Sequence, residues 1–109
     1  MARDVRKEID DFVHQHRVVL FMKGNKLFPQ CGFSARTVQA LIACGQRFAY
    51  VDILSNPEIR ANLPAYSDWP TFPQLFVNGE LIGGCDIIME MMHKNELAPI
   101  VKEAAAKKD

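Results

Sequence analysis

Between positions 4 and 16 apolar residues return every three or four places, at Val5, Ile9, Phe12 and Val13, with charged and polar residues between them. That spacing is one face of an amphipathic helix. After Arg17 the pattern changes to an unbroken apolar run, Val18-Val19-Leu20-Phe21-Met22, so residues 17–22 are predicted to form a strand buried on both faces. Gly24 ends the strand, and residues 25–30, with Pro29, read as a loop. Helical spacing resumes from Gly32 through Val38, Leu41 and Ile42 to Cys44, and Gly45 stands where a left-handed C-terminal cap belongs. Residues 48–53 have strand composition. Two strands joined by a helix of this length form a right-handed parallel crossover.

Asn56-Pro57 opens a third helix over residues 56–66, with Asn at the cap and Pro at the first helical position. Residues 74–77 and 80–82 flank Asn78-Gly79, the strongest short signal for a hairpin, so this pair is antiparallel. Past Gly83-Gly84, Ile87, Ile88, Met91 and Met92 make another helical stripe, and Leu97, Ile100 and Val101 mark a last helix that frays in the Ala-rich run of residues 104–108. The predicted order is αβαβαββαα. It describes an α/β protein with one small four-stranded mixed sheet flanked by helices.

At 109 residues and 12.3 kDa the chain has the length of one domain, expected to span residues 1–109. Hydrophobic residues make up 49% and charged residues 24%, the balance of an ordinary soluble globule. Thirteen Lys and Arg against thirteen Asp and Glu leave a formal net charge of zero, so no long-range positive field draws nucleic acid or an anionic membrane. No apolar stretch is long enough to span a bilayer, and the charged first residues do not read as a signal peptide. The three cysteines, Cys31, Cys44 and Cys85, are odd in number and widely spaced, which fits a reducing compartment and a cytoplasmic protein.

Cys31-Gly32-Phe33-Ser34 lies where a loop hands over to a helix, so the Cys31 sulfur sits beside the unpaired amides of the helix's positive end and thiolate is favoured. The spacing is that of the redox motif Cys-x-x-Cys, but the second position is Ser34, whose hydroxyl cannot close a disulfide. Cys31 must react with, or bind, something from outside. Gly83-Gly84-Cys85-Asp86 opens a helix at which backbone amides approach an anion and Asp86 caps or accepts from an amino group. Cys44 ends an apolar stripe and reads as packing; Cys85 either packs or pairs with Cys31. His14, His16 and His93 make no metal pattern, and Met89, Met91 and Met92 read as helix core. Trp69 is a core aromatic or part of a groove rim.

Four motifs, Phe21-Met22-Lys23-Gly24, Pro29-Gln30-Cys31-Gly32-Phe33-Ser34, Trp69-Pro70-Thr71-Phe72-Pro73-Gln74 and Gly83-Gly84-Cys85-Asp86, occur in an order and spacing that resemble the monothiol glutaredoxins of the Cys-Gly-Phe-Ser class over residues 18–100. The resemblance implies a thioredoxin-like fold with a cis peptide before Pro73. It also implies a glutathione site in which Lys23 and Arg60 meet the glycyl carboxylate, the Phe72 backbone pairs with the cysteine of glutathione like an added strand, and Cys85 and Asp86 hold the γ-glutamyl end. An iron–sulfur centre needs four ligands, and one chain offers one suitably placed cysteine. The arrangement implied is a homodimer in which a [2Fe-2S] cluster is shared by Cys31 of each protomer and two glutathione thiolates, then passed to recipient proteins of iron–sulfur assembly and iron homeostasis. BolA-like proteins are a further partner the family suggests. The competing function is a glutathione-dependent thiol-disulfide oxidoreductase in which Cys31 attacks a protein–glutathione mixed disulfide.

Overall fold

The computed structural model describes residues 3–106 and has the elements α1 (Val5–Gln15), β1 (Val18–Met22), α2 (Gly32–Ala43), β2 (Ala49–Asp52), α3 (Pro57–Ser67), β3 (Gln74–Val77), β4 (Glu80–Gly83), α4 (Cys85–His93) and α5 (Leu97–Ala106). The strands form one sheet in the order β2-β1-β3-β4. β1 pairs parallel with β2 and antiparallel with β3, and β3 turns back into β4, so the sheet is mixed as the sequence predicts. Asn78 and Gly79 both take positive φ, 53° and 81°, the backbone that a two-residue hairpin turn requires.

The unbroken apolar run of β1 is explained by its central place. Alternate side chains point to opposite faces of a strand. Val18, Leu20 and Met22 enter a core with Val38 and Leu41 of α2, Leu75 and Val77 of β3, Ile88 of α4, and Leu97 and Val101 of α5. Val19 and Phe21 enter a second core with Val5, Ile9 and Val13 of α1, Leu63 of α3, and Phe76. All five β1 side chains are buried. Each such burial is worth about 1.5–3 kcal/mol against leaving the side chain in water. Helices therefore cover both faces, and both cores anchor the strand whose C-terminal end leads to Cys31.

The structure departs from the predicted stripes at adjacent apolar pairs. Successive helical residues point about 100° apart, so only one of a neighbouring pair lies at the centre of the buried face. Leu41 is fully buried while Ile42 is exposed, and Val101 is buried while Ile100 is exposed; Ala104 takes the place on α5 expected of a third large residue. Met92 likewise faces solvent, whereas Met89 and Met91 pack against the core. β2 is shorter than residues 48–53, although the Ile53 N–H still donates to the Met22 carbonyl (2.9 Å). Asn56 occupies the cap position of α3 without capping it: its Nδ2 donates instead to the Asp52 carbonyl (2.9 Å). Gly45, with φ 75°, ends α2 as expected. Lys107 and Lys108 of the Ala-rich tail lie outside the described residues. No helix among the described residues is long and apolar enough to cross a membrane.

Candidate functional site

Cys31 is the N-cap of α2, with the extended backbone (φ −150°, ψ 156°) that capping residues adopt. Its sulfur accepts the Ser34 N–H at 3.3 Å, the bond that a serine or aspartate oxygen makes at an ordinary cap. Ser34 is fully buried, and its Oγ lies 3.3 Å from the same sulfur. That oxygen also accepts the Lys23 N–H at 3.1 Å, which leaves the hydroxyl proton to point at a thiolate. Burial, the largest single influence on Cys31, pushes its thiol up. The Ser34 hydroxyl, the Ser34 and Phe33 N–H groups and the Lys23 charge outweigh it and hold the thiol below the usual cysteine range. Ser34 is thus more than an absent second thiol; it supplies two of the bonds that stabilise the first.

The loop before Cys31 is held at both ends. The Gln30 N–H donates to the Lys23 carbonyl (2.8 Å), Gly24 bridges to Pro29, and Asn25 Oδ1 accepts the N–H groups of Leu27 and Phe28, both at 2.9 Å. Among the described residues, Leu27 and Phe28 on this loop and Phe33 at the start of α2 are the most exposed large apolar side chains, at 78%, 69% and 58%. In the sequence they stand on either side of Cys31.

Beside Cys31 opens a cleft of about 720 Å³. Lys23, Arg60, Phe72, Cys85 and Asp86, the five residues singled out with Cys31 in the sequence, all line it, together with Phe33, Trp69, Pro70, Thr71, Gly84 and Ile87. Cys31 is not on its wall but stands between two residues that are, Lys23 and Phe33. The Phe72–Pro73 peptide is cis. Gly84, and not Asp86, is the cap of α4; Asp86 lies in the first turn with its side chain exposed, and Cys85 is buried beside it. A Cβ at Gly84 would stand 3.1 Å from Trp69 Nε1 and 3.2 Å from the Pro73 carbonyl, so glycine lets the cleft floor close on that ring. Trp69 is therefore a wall of the groove. Cys31, Cys44 and Cys85 are all free; Cys44 is half-buried, its thiol donating to the Ala40 carbonyl (3.3 Å) and pushed up by burial.

The supporting residues were not evident from the sequence. Gln74, fully buried at the start of β3, donates from Nε2 to the carbonyls of Trp69 (2.9 Å) and Thr71 (3.1 Å), and so clamps the segment carrying the cis peptide. Gln74→Ala removes both bonds. It should lower stability by about 1–2 kcal/mol and weaken any ligand held by the 69–72 wall, read by a thermal melt and by calorimetry with glutathione.

A family model described as glutaredoxin matches residues 18–82. The chain belongs to the glutaredoxin family. It is 58% identical over 101 residues to Glutaredoxin 4 of Escherichia coli strain K12, covering 93% of this chain and 88% of that one. It is 64% identical over 88 residues to the probable monothiol glutaredoxin GrlA of Legionella pneumophila, covering 81% of this chain and 99% of the relative. Among solved structures, reduced poplar apo GrxS14 superposes with a TM-score of 0.80 at 48% identity, covering 94% of each chain. With Ser34 in place of a second cysteine, this glutaredoxin is of the monothiol class, and its fold is thioredoxin-like.

Proposed function

We propose that this monothiol glutaredoxin binds glutathione in the cleft beside Cys31 and carries a [2Fe-2S] cluster between two copies of itself for delivery to recipient proteins. The observation that carries this reading is the pairing of one stabilised thiol, unable to form a disulfide with Ser34, with a cleft whose walls bear two cations and a carboxylate. Glutathione has two carboxylates, an amino group and a thiol. Lys23 and Arg60 match a carboxylate at one end, and Asp86 matches the amino group at the other. Phe72, on the cleft wall before the cis peptide, is placed for its backbone to pair with an extended peptide.

Among the described residues no three His, Cys, Asp or Glu side chains gather closely enough to hold a metal ion. A cluster with four ligands thus calls for donors from outside one chain. Two Cys31 thiolates and the thiolates of two bound glutathione molecules complete the set, and the exposed Leu27, Phe28 and Phe33 offer apolar surface that a second copy would cover. Bonds supplied by a diffusible tripeptide exchange readily, which suits transfer to a recipient. A BolA-like protein taking the place of one copy is a variant of the same arrangement. The free thiols fit the reducing conditions of the cytoplasm.

Glutathione is the component that tests the reading. Loaded protein should lose its colour during gel filtration in buffer without glutathione and keep it when glutathione is present. Lys23→Gln removes one partly exposed charge-assisted contact, so glutathione binding should weaken by about 1 kcal/mol and cluster loss should quicken, with the fold intact in a thermal melt. If a dimer keeps its cluster after mass analysis shows no glutathione, protein side chains fill those positions and the reading fails.

A further inference from the structure

Asp52 is the last residue of β2, and the parallel register sets it opposite Met22, the last residue of β1. Its Oδ1 accepts the N–H of Leu54 (2.9 Å) and its Oδ2 the hydroxyl of Ser55 (3.0 Å), bonds that shape the turn leading into α3. A third bond has no part in that turn. Oδ1 also accepts the N–H of Gly24 at 2.9 Å, from a residue 28 positions away in the loop before Cys31. The next residue back, Lys23, donates its N–H to Ser34 Oγ and accepts the Gln30 N–H, and its charge acts on Cys31.

We propose that Asp52 is a positioning residue of the site: by holding the Gly24 amide, its carboxylate fixes the bend after β1, and with it the Lys23 backbone that keeps the Ser34 hydroxyl beside the Cys31 sulfur. Burial pushes the Asp52 carboxyl up, but the N–H groups of Gly24 and Leu54, the Ser55 hydroxyl and the Ser55 N–H together hold it low, so it is a charged acceptor at neutral pH. The proposal rests on Cys31 as the thiolate of the site and not on what that thiolate holds. It would stand if the protein took up no cluster.

The test is the rate at which iodoacetamide modifies Cys31 in the reduced, ligand-free full chain at neutral pH, read by mass spectrometry of the Cys31 peptide. Asp52→Ser keeps a short side-chain oxygen for the local turn but withdraws the reach to Gly24. It should slow the reaction by about two- to five-fold, the size expected from loosening one partly screened set of thiolate contacts. The direction is diagnostic, because removing a negative charge near a thiolate would by itself speed the reaction. Asp52→Asn, whose amide oxygen still accepts the Gly24 N–H, should restore the wild-type rate or exceed it. In a Ser34→Ala background the Asp52→Ser slowing should shrink, since Asp52 acts through the bond from the Lys23 N–H to the Ser34 hydroxyl. Ser55→Ala strips a bond of the turn alone and should leave the rate unchanged, an arm that needs no change at Asp52. A wild-type rate in Asp52→Ser, an equal slowing in Asp52→Asn or in the Ser34→Ala background, or a slowing in Ser55→Ala would each assign Asp52 to the turn only and overturn the proposal.

Discussion

Cys31→Ser should remain colourless after anaerobic incubation with iron, sulfide and glutathione, while the wild-type chain yields a coloured dimer with one [2Fe-2S] centre. The expected loss is complete because a serine hydroxyl does not ionise near neutral pH, whereas the Cys31 thiol sits below the usual cysteine range. The substitution is mild for the fold. Cys31 caps α2 through its sulfur, and serine is among the best N-cap residues, so the melting temperature should hold or rise. The pair of readouts separates lost ligation from lost structure. Visible absorption and sizing of the two proteins, with a thermal melt of each apo form, make the measurement. Cluster at full occupancy without Cys31 would refute the assignment and make Cys85, the cysteine on the cleft wall, the next ligand to test.

The order of elements was legible because each carries a local signal. The β1 run is apolar throughout since both faces of a central strand are covered, and Asn78-Gly79 meets the positive φ of its turn. Cys31 was legible for the same reason: a helix N-terminus is a local feature, and its effect on a thiol follows from the amides there. The companions in the cleft were not. Lys23, Arg60, Phe72, Cys85 and Asp86 come from four separate elements and loops; Asp86 had a local signal at the start of its helix, but only the likeness to a family gathered the five into one site before the fold placed them along one cleft. Side-chain bonds to the backbone, near or distant in the chain, left no trace in the residues around them. Nothing in the neighbourhood of Asp52 announces a bond to Gly24, and nothing around Gln74 announces that it holds the carbonyls of Trp69 and Thr71. Exposure of Ile42, Ile100 and Met92 escaped for a different reason, since a sequence shows that a residue is apolar but not which of two neighbours the core has room for.

Gly24→Ala should be the most damaging single methyl in the site. Gly24 has φ 91°, a conformation costly for any residue with a Cβ, and that carbon would stand 2.5 Å from the Phe28 carbonyl oxygen and 2.8 Å from the Gln30 nitrogen. Both are backbone atoms, so no side-chain rotation relieves the contact. Strain and overlap together should cost about 2–4 kcal/mol, which corresponds to a fall of about 10–25 °C in Tm for a chain of this size. The loop can yield only if residues 28–30 move off together, giving up the Asn25 and Gln30 Nε2 bonds to the Phe28 carbonyl (3.4 and 3.2 Å) and the bridge between Gly24 and Pro29. Stability would then fall less, but the segment carrying Lys23 and leading to Cys31 would shift, and the iodoacetamide rate at Cys31 would change in its place. Gly32→Ala is the internal comparison, because a Cβ at Gly32 meets nothing within 4 Å and alanine favours the helix it begins. Its Tm should match the wild type or exceed it. A Gly24→Ala protein with both the wild-type Tm and the wild-type Cys31 rate would show that the bend after β1 tolerates a side chain, and that the loop before Cys31 is not held by the contacts described for it.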